Sequence, residues 1–275
     1  MTETLRTVAV LGAGNMAGAI AQSLAGAGDV ESIRLTTRTR EPEWAGGLSH
    51  VEHRALSVDE GATAWALDGA DAVILGVKPY QIVELCEEIA PLLGTDAVVI
   101  SVAAGVRLEP MREALGEGER GAGVRVVRAM PNTPTAIGRG VTALAGEPAD
   151  CAAAASLLAP TGLIEIVDES LVNAFAAVAG SGPAYAYAFV EALEAAAVSL
   201  GIPTEQATRV VTATMLGSMT YLDGSPHDAA ELRRQVTSPG GSTAEALRVF
   251  GERDLNATVA DALAAALARN EEMGK

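Results

Sequence analysis

The sequence predicts an α/β domain followed by an all-α domain, and three observations predict it. Short apolar runs of strand length alternate with helical stretches through the first part of the chain. A glycine-rich turn, Gly12-Ala13-Gly14-Asn15-Met16-Ala17, joins the first such run to the first helix. Beyond Val167 the alternation stops, and Ala, Leu, Val and Met recur at helical spacing in one helix after another.

Thr7 to Leu11 is a short apolar run suited to a buried parallel strand, and Met16 to Ala27 is an alanine-rich helical stretch. Strand, glycine turn and helix in that order are the context a dinucleotide fingerprint requires, although any tight strand-to-helix turn can look alike. Gly12 turns the chain off the strand, Gly14 admits a pyrophosphate close to the backbone, and Ala17 in the third position keeps the helix near the sheet. Free amides at the helix N-terminus face the phosphates. The next strand, Ser32 to Thr36, ends without the acidic residue that would accept a ribose 2′-hydroxyl. It runs instead into Thr37, Arg38, Thr39 and Arg40, whose forked cations suit a 2′-phosphate. NADPH is therefore predicted to be preferred, with NADH possible; the plainer reading of Arg38 and Arg40 is two solvated surface charges.

Asp71 to Val77 reads as a buried strand ending at Lys78-Pro79, Ala97 to Val102 as another ending at Ala103-Ala104-Gly105, and Val124 to Val127 as a third leading into Met130-Pro131-Asn132-Thr133-Pro134. Ligands of an open parallel sheet collect outside the carboxyl ends of its strands, so these segments are expected to line a cofactor cleft. Val141 to Ala145 and Ile164 to Val167 complete the predicted sheet, with a helix from Asp150 to Leu158 between them. Residues 1–167 thus read as an NADP-binding Rossmann domain and 168–275 as a helical domain. Its expected helices are Leu171 to Val178, Pro183 to Leu200, Glu205 to Leu222, Ala229 to Val236, Thr243 to Phe250 and Leu255 to Glu272. Pro183 suits a first turn, and Gly201 followed by Pro203 a stop. Small alanine-rich faces invite close helix approach, shared with another subunit in a homodimer or larger assembly.

A net charge of −16 and a pI near 4.6 disfavour nucleic acid and anionic membrane as partners. No apolar run has transmembrane length, and no leader precedes the first strand, so the chain is expected to be cytoplasmic. Cys86 and Cys151 lack zinc or redox spacing and read as packing residues. His50 and His53, three apart in a polar connecting region, lack further ligands for a metal.

Near the far end, Ser238-Pro239-Gly240-Gly241-Ser242-Thr243 combines hydroxyls, a glycine pair and the start of a helix, a cradle for a small carboxylate. Ser242 with Glu245 three residues on also has capping-box spacing, which by itself explains the serine. Between Lys78 and Lys275 there is no lysine, and the second half holds one histidine, His227. A hydroxy-acid reductase needs such a group beside its carbinol oxygen. A substrate already bearing its proton, such as a cyclic iminium, needs only hydride delivery, a bound carboxylate and a hydrogen bond at nitrogen.

The fingerprint, Val77-Lys78-Pro79, Ala103-Ala104-Gly105, Met130-Pro131-Asn132-Thr133-Pro134, Ser181-Gly182-Pro183-Ala184-Tyr185 and Val236-Thr237-Ser238-Pro239-Gly240-Gly241-Ser242-Thr243 together resemble the pyrroline-5-carboxylate reductase family. The resemblance spans nearly the whole chain. It implies reduction of 1-pyrroline-5-carboxylate to L-proline with NAD(P)H, the last step of proline biosynthesis, on a Rossmann domain joined to a C-terminal helical dimerisation domain, with dimers assembling into decamers in many members. Carried onto this sequence, it implies that Leu11, Gly12, Ala13, Gly14, Asn15 and Met16 hold the pyrophosphate. Thr37 and Arg38, with Arg40 added by the charge argument, lie near the adenosine phosphate. Gly76, Val77, Lys78 and Pro79 with Val102, Ala103 and Ala104 border the ribose and nicotinamide. Ser238, Gly241, Ser242 and Thr243 hold the substrate, with Thr243 at the ring nitrogen as the catalytic candidate, and Glu169 and Ser181 lie near the pocket. Thr63 and Gln235 stand where members commonly carry asparagine; both keep hydrogen-bonding capacity and bear on cofactor affinity. Lys78, at a strand end before proline, reads as a cofactor-side residue with no Schiff base. The competing readings are a related NADP-linked reductase using His227 as acid and an NADP-binding sensor without turnover.

Overall fold

Among the described residues, eight strands form one sheet: β1 (Thr7–Leu11), β2 (Ser32–Thr37), β3 (Val51–Ala55), β4 (Ala72–Leu75), β5 (Val98–Ser101), β6 (Val126–Met130), β7 (Gly140–Gly146) and β8 (Gly162–Ile166). Their order is β3-β2-β1-β4-β5-β6-β7-β8. β1 to β6 run parallel, β7 is antiparallel to β6, and β8 is parallel to β7. A computed structural model describes residues 5–116 and 125–273. Val124, at the head of the expected third strand, and Lys275 lie outside them.

The strand order reverses at the β1–β4 pair, so a crevice opens outside the carboxyl ends of those two strands. Successive side chains of β1 enter different layers, as a two-residue period demands. Val8 and Val10 pack with Ile20 and Leu24 of α1 (Asn15–Ala27) and with α5 (Pro148–Leu158). Ala9 and Leu11 pack with α2 (Ala62–Leu67), α3 (Ile82–Ile89) and α4 (Leu108–Ala114). With both faces covered, the strands read as continuous apolar runs. Each fully buried Ile or Leu contributes roughly 1.5–3 kcal/mol of transfer free energy.

The segment around His50 to His53 is not a connecting region: Val51–Ala55 forms the edge strand β3, paired with β2 from Ile33↔Val51 to Thr37↔Ala55. Its alternating exposed residues hid it among polar neighbours. The stretch expected as a helix from Leu171 to Val178 is broken into a 3-10 turn at Glu169–Leu171, the short α6 (Val172–Phe175) and a π-turn at Ala176–Gly180.

Compactness groups the described residues through Ser181, together with those from Ala266 to Met273, into one unit and Gly182–Ala265 into another. The second unit comprises α7 (Gly182–Ser199), α8 (Thr204–Asp223), α9 (Ala229–Gln235), α10 (Ser242–Glu252) and most of α11 (Leu255–Met273). α7 packs on α8. Within this unit only Ala207 and Val211 are buried hydrophobics, while Tyr187, Leu216, Met219 and Tyr221 are each more than half exposed. So much apolar surface on an ordered helical unit marks an interaction face.

Candidate active site

At the end of β1 the chain turns through Gly12 at φ +80, where an added Cβ would lie 2.8 Å from Val77 Cγ1. Gly76 is tighter still, with an added Cβ 2.3 Å from Ala17 Cβ and 2.6 Å from the Gly12 carbonyl. The fingerprint turn and the β4 loop are thus pressed together at the crevice. Not every amide of the turn is available to a ligand. Gly12 and Ala13 donate to the Thr36 carbonyl at 3.1 and 2.8 Å, and Gly14 donates to the Gly12 carbonyl at 2.7 Å. The free donors begin at Asn15 and Met16, in the first turn of α1. That helix has Gly14 as N-cap, no capping side chain and no acidic residue in its first turn. Its positive end is uncompensated, the condition in which a helix N-terminus receives an anion.

Gly14 itself has room. An added Cβ would meet only the Gly12 carbonyl, at 3.9 Å, and its φ of −77 suits any residue. Protein packing gives no reason for glycine there, whereas a pyrophosphate lying on the backbone does. Gly14 and Asn15 line an open groove of about 480 Å³ together with Ala13, Gly18, Arg40 and Trp44. Trp44 was not anticipated from sequence. It lies in a 3-10 turn at Glu43–Ala45, packs partly against the core and is among the residues lining the groove.

At the end of β2, the Thr37 hydroxyl donates to the Arg40 carbonyl at 2.7 Å and lies 2.8 Å from His53 Nε2 on β3. Arg38 is exposed. Beyond β4, Lys78 is exposed and its amide lies 3.4 Å from Gln81 Oε1. Pro79 opens the following 3-10 turn. Beyond β5, Val102 donates to the Leu75 carbonyl at 3.1 Å, and Ala103 is buried beside the half-buried Ala104. These segments follow β2, β4 and β5; β2 and β4 flank β1, and β5 lies beside β4. Thr63 is buried in the first turn of α2.

Glu169 is engaged with its own unit. Its Oε1 accepts from the Leu108 amide at 2.8 Å, at the start of α4, and from Arg128 Nη1 at 3.3 Å. Arg128, 4% exposed on β6, also donates through Nη2 to Asn173 Oδ1 at 2.9 Å. Burial lowers the pKa of this guanidinium, and the charge and hydrogen bond of Glu169 pull it back up. The pair lines an open cavity of about 510 Å³ with Arg107, Asp168 and Ser170. Ser181 follows the π-turn and donates its amide to the Ala176 carbonyl at 2.9 Å. Asn132 clamps that turn: its Nδ2 donates to the Ala179 carbonyl and its Oδ1 accepts from the Val141 amide, both at 2.9 Å.

In the second unit, Ser238 to Gly241 make a type II turn with Pro239 and Gly240 in the middle. Gly240 has φ +71, and the Gly241 amide donates to the Ser238 carbonyl at 3.1 Å. Gly241 lies so close to Ser238 that an added Cβ would stand 2.5 Å from Oγ. The capping-box reading of Ser242 fails. Gly241, at φ −80 and ψ 169, is the N-cap of α10, Ser242 is the first helical residue, and no side chain caps the helix. Glu245 does not reach back; it holds Arg248 Nε at 3.0 Å, which lowers its pKa and offsets its charge. The first-turn amides of Ser242 and Thr243 are therefore open to an anion. Gln235 ends α9 and donates to Glu231 Oε1 at 3.1 Å. His227 is exposed in the loop before α9.

Comparison with known proteins agrees with this architecture. Residues 169–273 match the family described as pyrroline-5-carboxylate reductase dimerisation, and residues 7–105 match that described as NADP oxidoreductase, coenzyme F420-dependent. The pyrroline-5-carboxylate reductase of Vibrio alginolyticus is 35% identical over 277 residues, covering 98% of each chain. The structure of a pyrroline-5-carboxylate reductase from Coxiella burnetii superposes with a TM-score of 0.86 at 32% identity, covering 99% of this chain and 100% of that one. The Plasmodium falciparum pyrroline carboxylate reductase, solved with NADP bound, shares the fold at a TM-score of 0.83 and 24% identity, covering 100% of both chains. With a glycine turn opening on a bare helix end, a second bare helix end after the Ser238 turn, and relatives above 30% identity along its whole length, the chain belongs to the pyrroline-5-carboxylate reductase family.

Proposed function

We propose that the chain reduces 1-pyrroline-5-carboxylate to L-proline with NADPH preferred and NADH possible, the last step of proline biosynthesis. The observation that carries the division of labour is the pair of uncapped helix N-termini, α1 after Gly14 and α10 after Gly241. The first suits a pyrophosphate and the second a small carboxylate. NAD(P)H supplies the hydride when bound. The Asn15 and Met16 amides bind its pyrophosphate, with Leu11 to Gly14 shaping the turn; Thr37, Arg38 and Arg40 form the adenosine phosphate end. Gly76 to Pro79, Val102 to Ala104, Thr63 and Gln235 are assigned to the rest of the cofactor.

Ser238, Gly241, Ser242 and Thr243 hold the substrate. The amides at the head of α10 take the carboxylate, and the Thr243 hydroxyl positions the ring nitrogen, which already carries its proton in the iminium form. No strong acid is then required of the protein. Glu169 and Ser181 shape the surroundings, Glu169 through Arg128 and the head of α4. Functionally the chain divides into residues 1–167 for cofactor and 168–275 for substrate and dimerisation; the match of residues 169–273 to the dimerisation family supports this division. The exposed apolar helices support a homodimer that assembles further. A cytoplasmic setting fits two buried free thiols.

The test is NADPH oxidation with 1-pyrroline-5-carboxylate, its six-membered homologue and a keto acid in parallel. Rapid oxidation with the five-membered imine and formation of proline is expected. Thr243→Ala is expected to lower turnover or substrate affinity by about tenfold or more; full retention of both would remove the role given to this hydroxyl. Binding of NADPH without oxidation of any imine would favour a sensor.

A further inference from the structure

The end of β2 contains a hydrogen-bond chain whose direction can be deduced. Thr37 has one hydroxyl proton, and it is given to the Arg40 carbonyl at 2.7 Å. His53 Nε2, 2.8 Å from the same oxygen, must therefore be the donor. Thr37 consequently has no second proton for a ligand. His53 is half-buried on β3 and reaches Thr37 because Leu35 and His53 are register partners, and Thr37 lies two residues on, on the same face. That face carries α1, and Arg40 borders the groove beside it.

We infer that His53 is a specificity-determining positioning residue for the cofactor. By donating Nε2–H to Thr37 it keeps the hydroxyl aimed at the Arg40 carbonyl, and so holds the turn from Thr37 to Arg40 in the form that offers Arg38 and Arg40 to a 2′-phosphate. The phosphate is bound by the guanidinium groups, and the threonine serves the turn. This rests on the proposed preference for NADPH. A ligand lacking the 2′-phosphate makes no demand on the two arginines, so His53 should influence NADPH and leave NADH nearly untouched.

The test is the dissociation constants of NADPH and NADH for the full-length protein and for His53→Leu, His53→Gln, Thr37→Val and the double variant His53→Leu/Thr37→Val, each checked by thermal unfolding. In His53→Leu, NADPH is expected to bind about five- to tenfold more weakly, and NADH within about twofold of the original. His53→Gln keeps an N–H able to reach Thr37 and should recover most of the loss. Thr37→Val should match His53→Leu, with the double variant no worse than either. Equal weakening of both cofactors, or no weakening of NADPH, overturns the role of His53. If His53→Leu does not fold, the comparison of Thr37→Val with His53→Gln decides in the same way. A wild-type protein that fails to discriminate the cofactors overturns the NADPH preference, and this inference with it.

Discussion

Gly14 and Gly76 are both glycines beside the crevice at the carboxyl ends of β1 and β4, and their surroundings give them opposite reasons to be so. A methyl at Gly14 meets nothing closer than 3.9 Å, whereas at Gly76 it meets Ala17 Cβ at 2.3 Å. Gly14→Ala is therefore expected to leave stability within about 0.5 kcal/mol and to weaken NADPH binding by about tenfold or more. Gly76→Ala is expected to cost about 1–3 kcal/mol of stability through overpacking. Thermal unfolding and cofactor titration of the two variants separate the cases. The thiols give a second expectation at this scale. Burial pushes Cys86 up to about 12 and Cys151 up to about 11 from 9.0. Both are then protonated in the folded state while the unfolded chain ionises near pH 9, so their contribution is intact below pH 9 and declines as pH rises toward 11–12. Denaturation midpoints measured from pH 8 to 11 should fall less steeply in Cys86→Ala/Cys151→Ala, and a thiol reagent at pH 8 should not label the folded protein.

One element is held by a residue remote in the chain and another by a residue beside it. The π-turn at Ala176–Gly180 is held by Asn132, from 47 positions earlier in the chain. Asn132→Ala leaves the Ala179 carbonyl and the Val141 amide without their partner, which is expected to cost about 2 kcal/mol or more in urea denaturation. The entrance to α10 depends instead on a local conformation, Gly240 at φ +71. Gly240→Ala is expected to strain the type II turn by about 1–2 kcal/mol and to raise KM for the imine more than it lowers kcat. The motif around Asn132 and the glycine pair were both visible in the sequence. The turn at Gly240 could be read because Pro and Gly dictate it locally. The clamp on the π-turn could not, because it pairs two segments that only the sheet brings together.

At the scale of the molecule, the second unit buries few hydrophobics of its own, while Leu216 and Met219 on α8 are 68% and 54% exposed. A face of this kind, in a region matching a dimerisation family, predicts that single chains do not persist at micromolar concentration. Leu216→Glu is expected to shift the light-scattering mass downward and to lower the melting temperature. A mass equal to one chain before any substitution would remove the interface. The sheet of the first unit, filled on both faces, is expected to keep its cofactor affinity in that variant.

The sequence by itself determined the alternation of strand and helix, the glycine turn at Gly12, the change to helices beyond Val167 and the Ser238 turn. Each is written in residues a few positions apart, where side-chain period, proline and glycine act directly on the backbone. Tertiary structure alone decided that Val51–Ala55 is an edge strand, that Thr36 takes up the amides of Gly12 and Ala13, that Glu169 answers Arg128, and that His53 meets Thr37. These depend on which strands become neighbours, and pairing across tens of residues leaves no local periodic trace. The two glycine turns were therefore legible in the sequence, whereas the amides left without a protein partner beside them became visible only once the backbone hydrogen bonds of the described residues were in place.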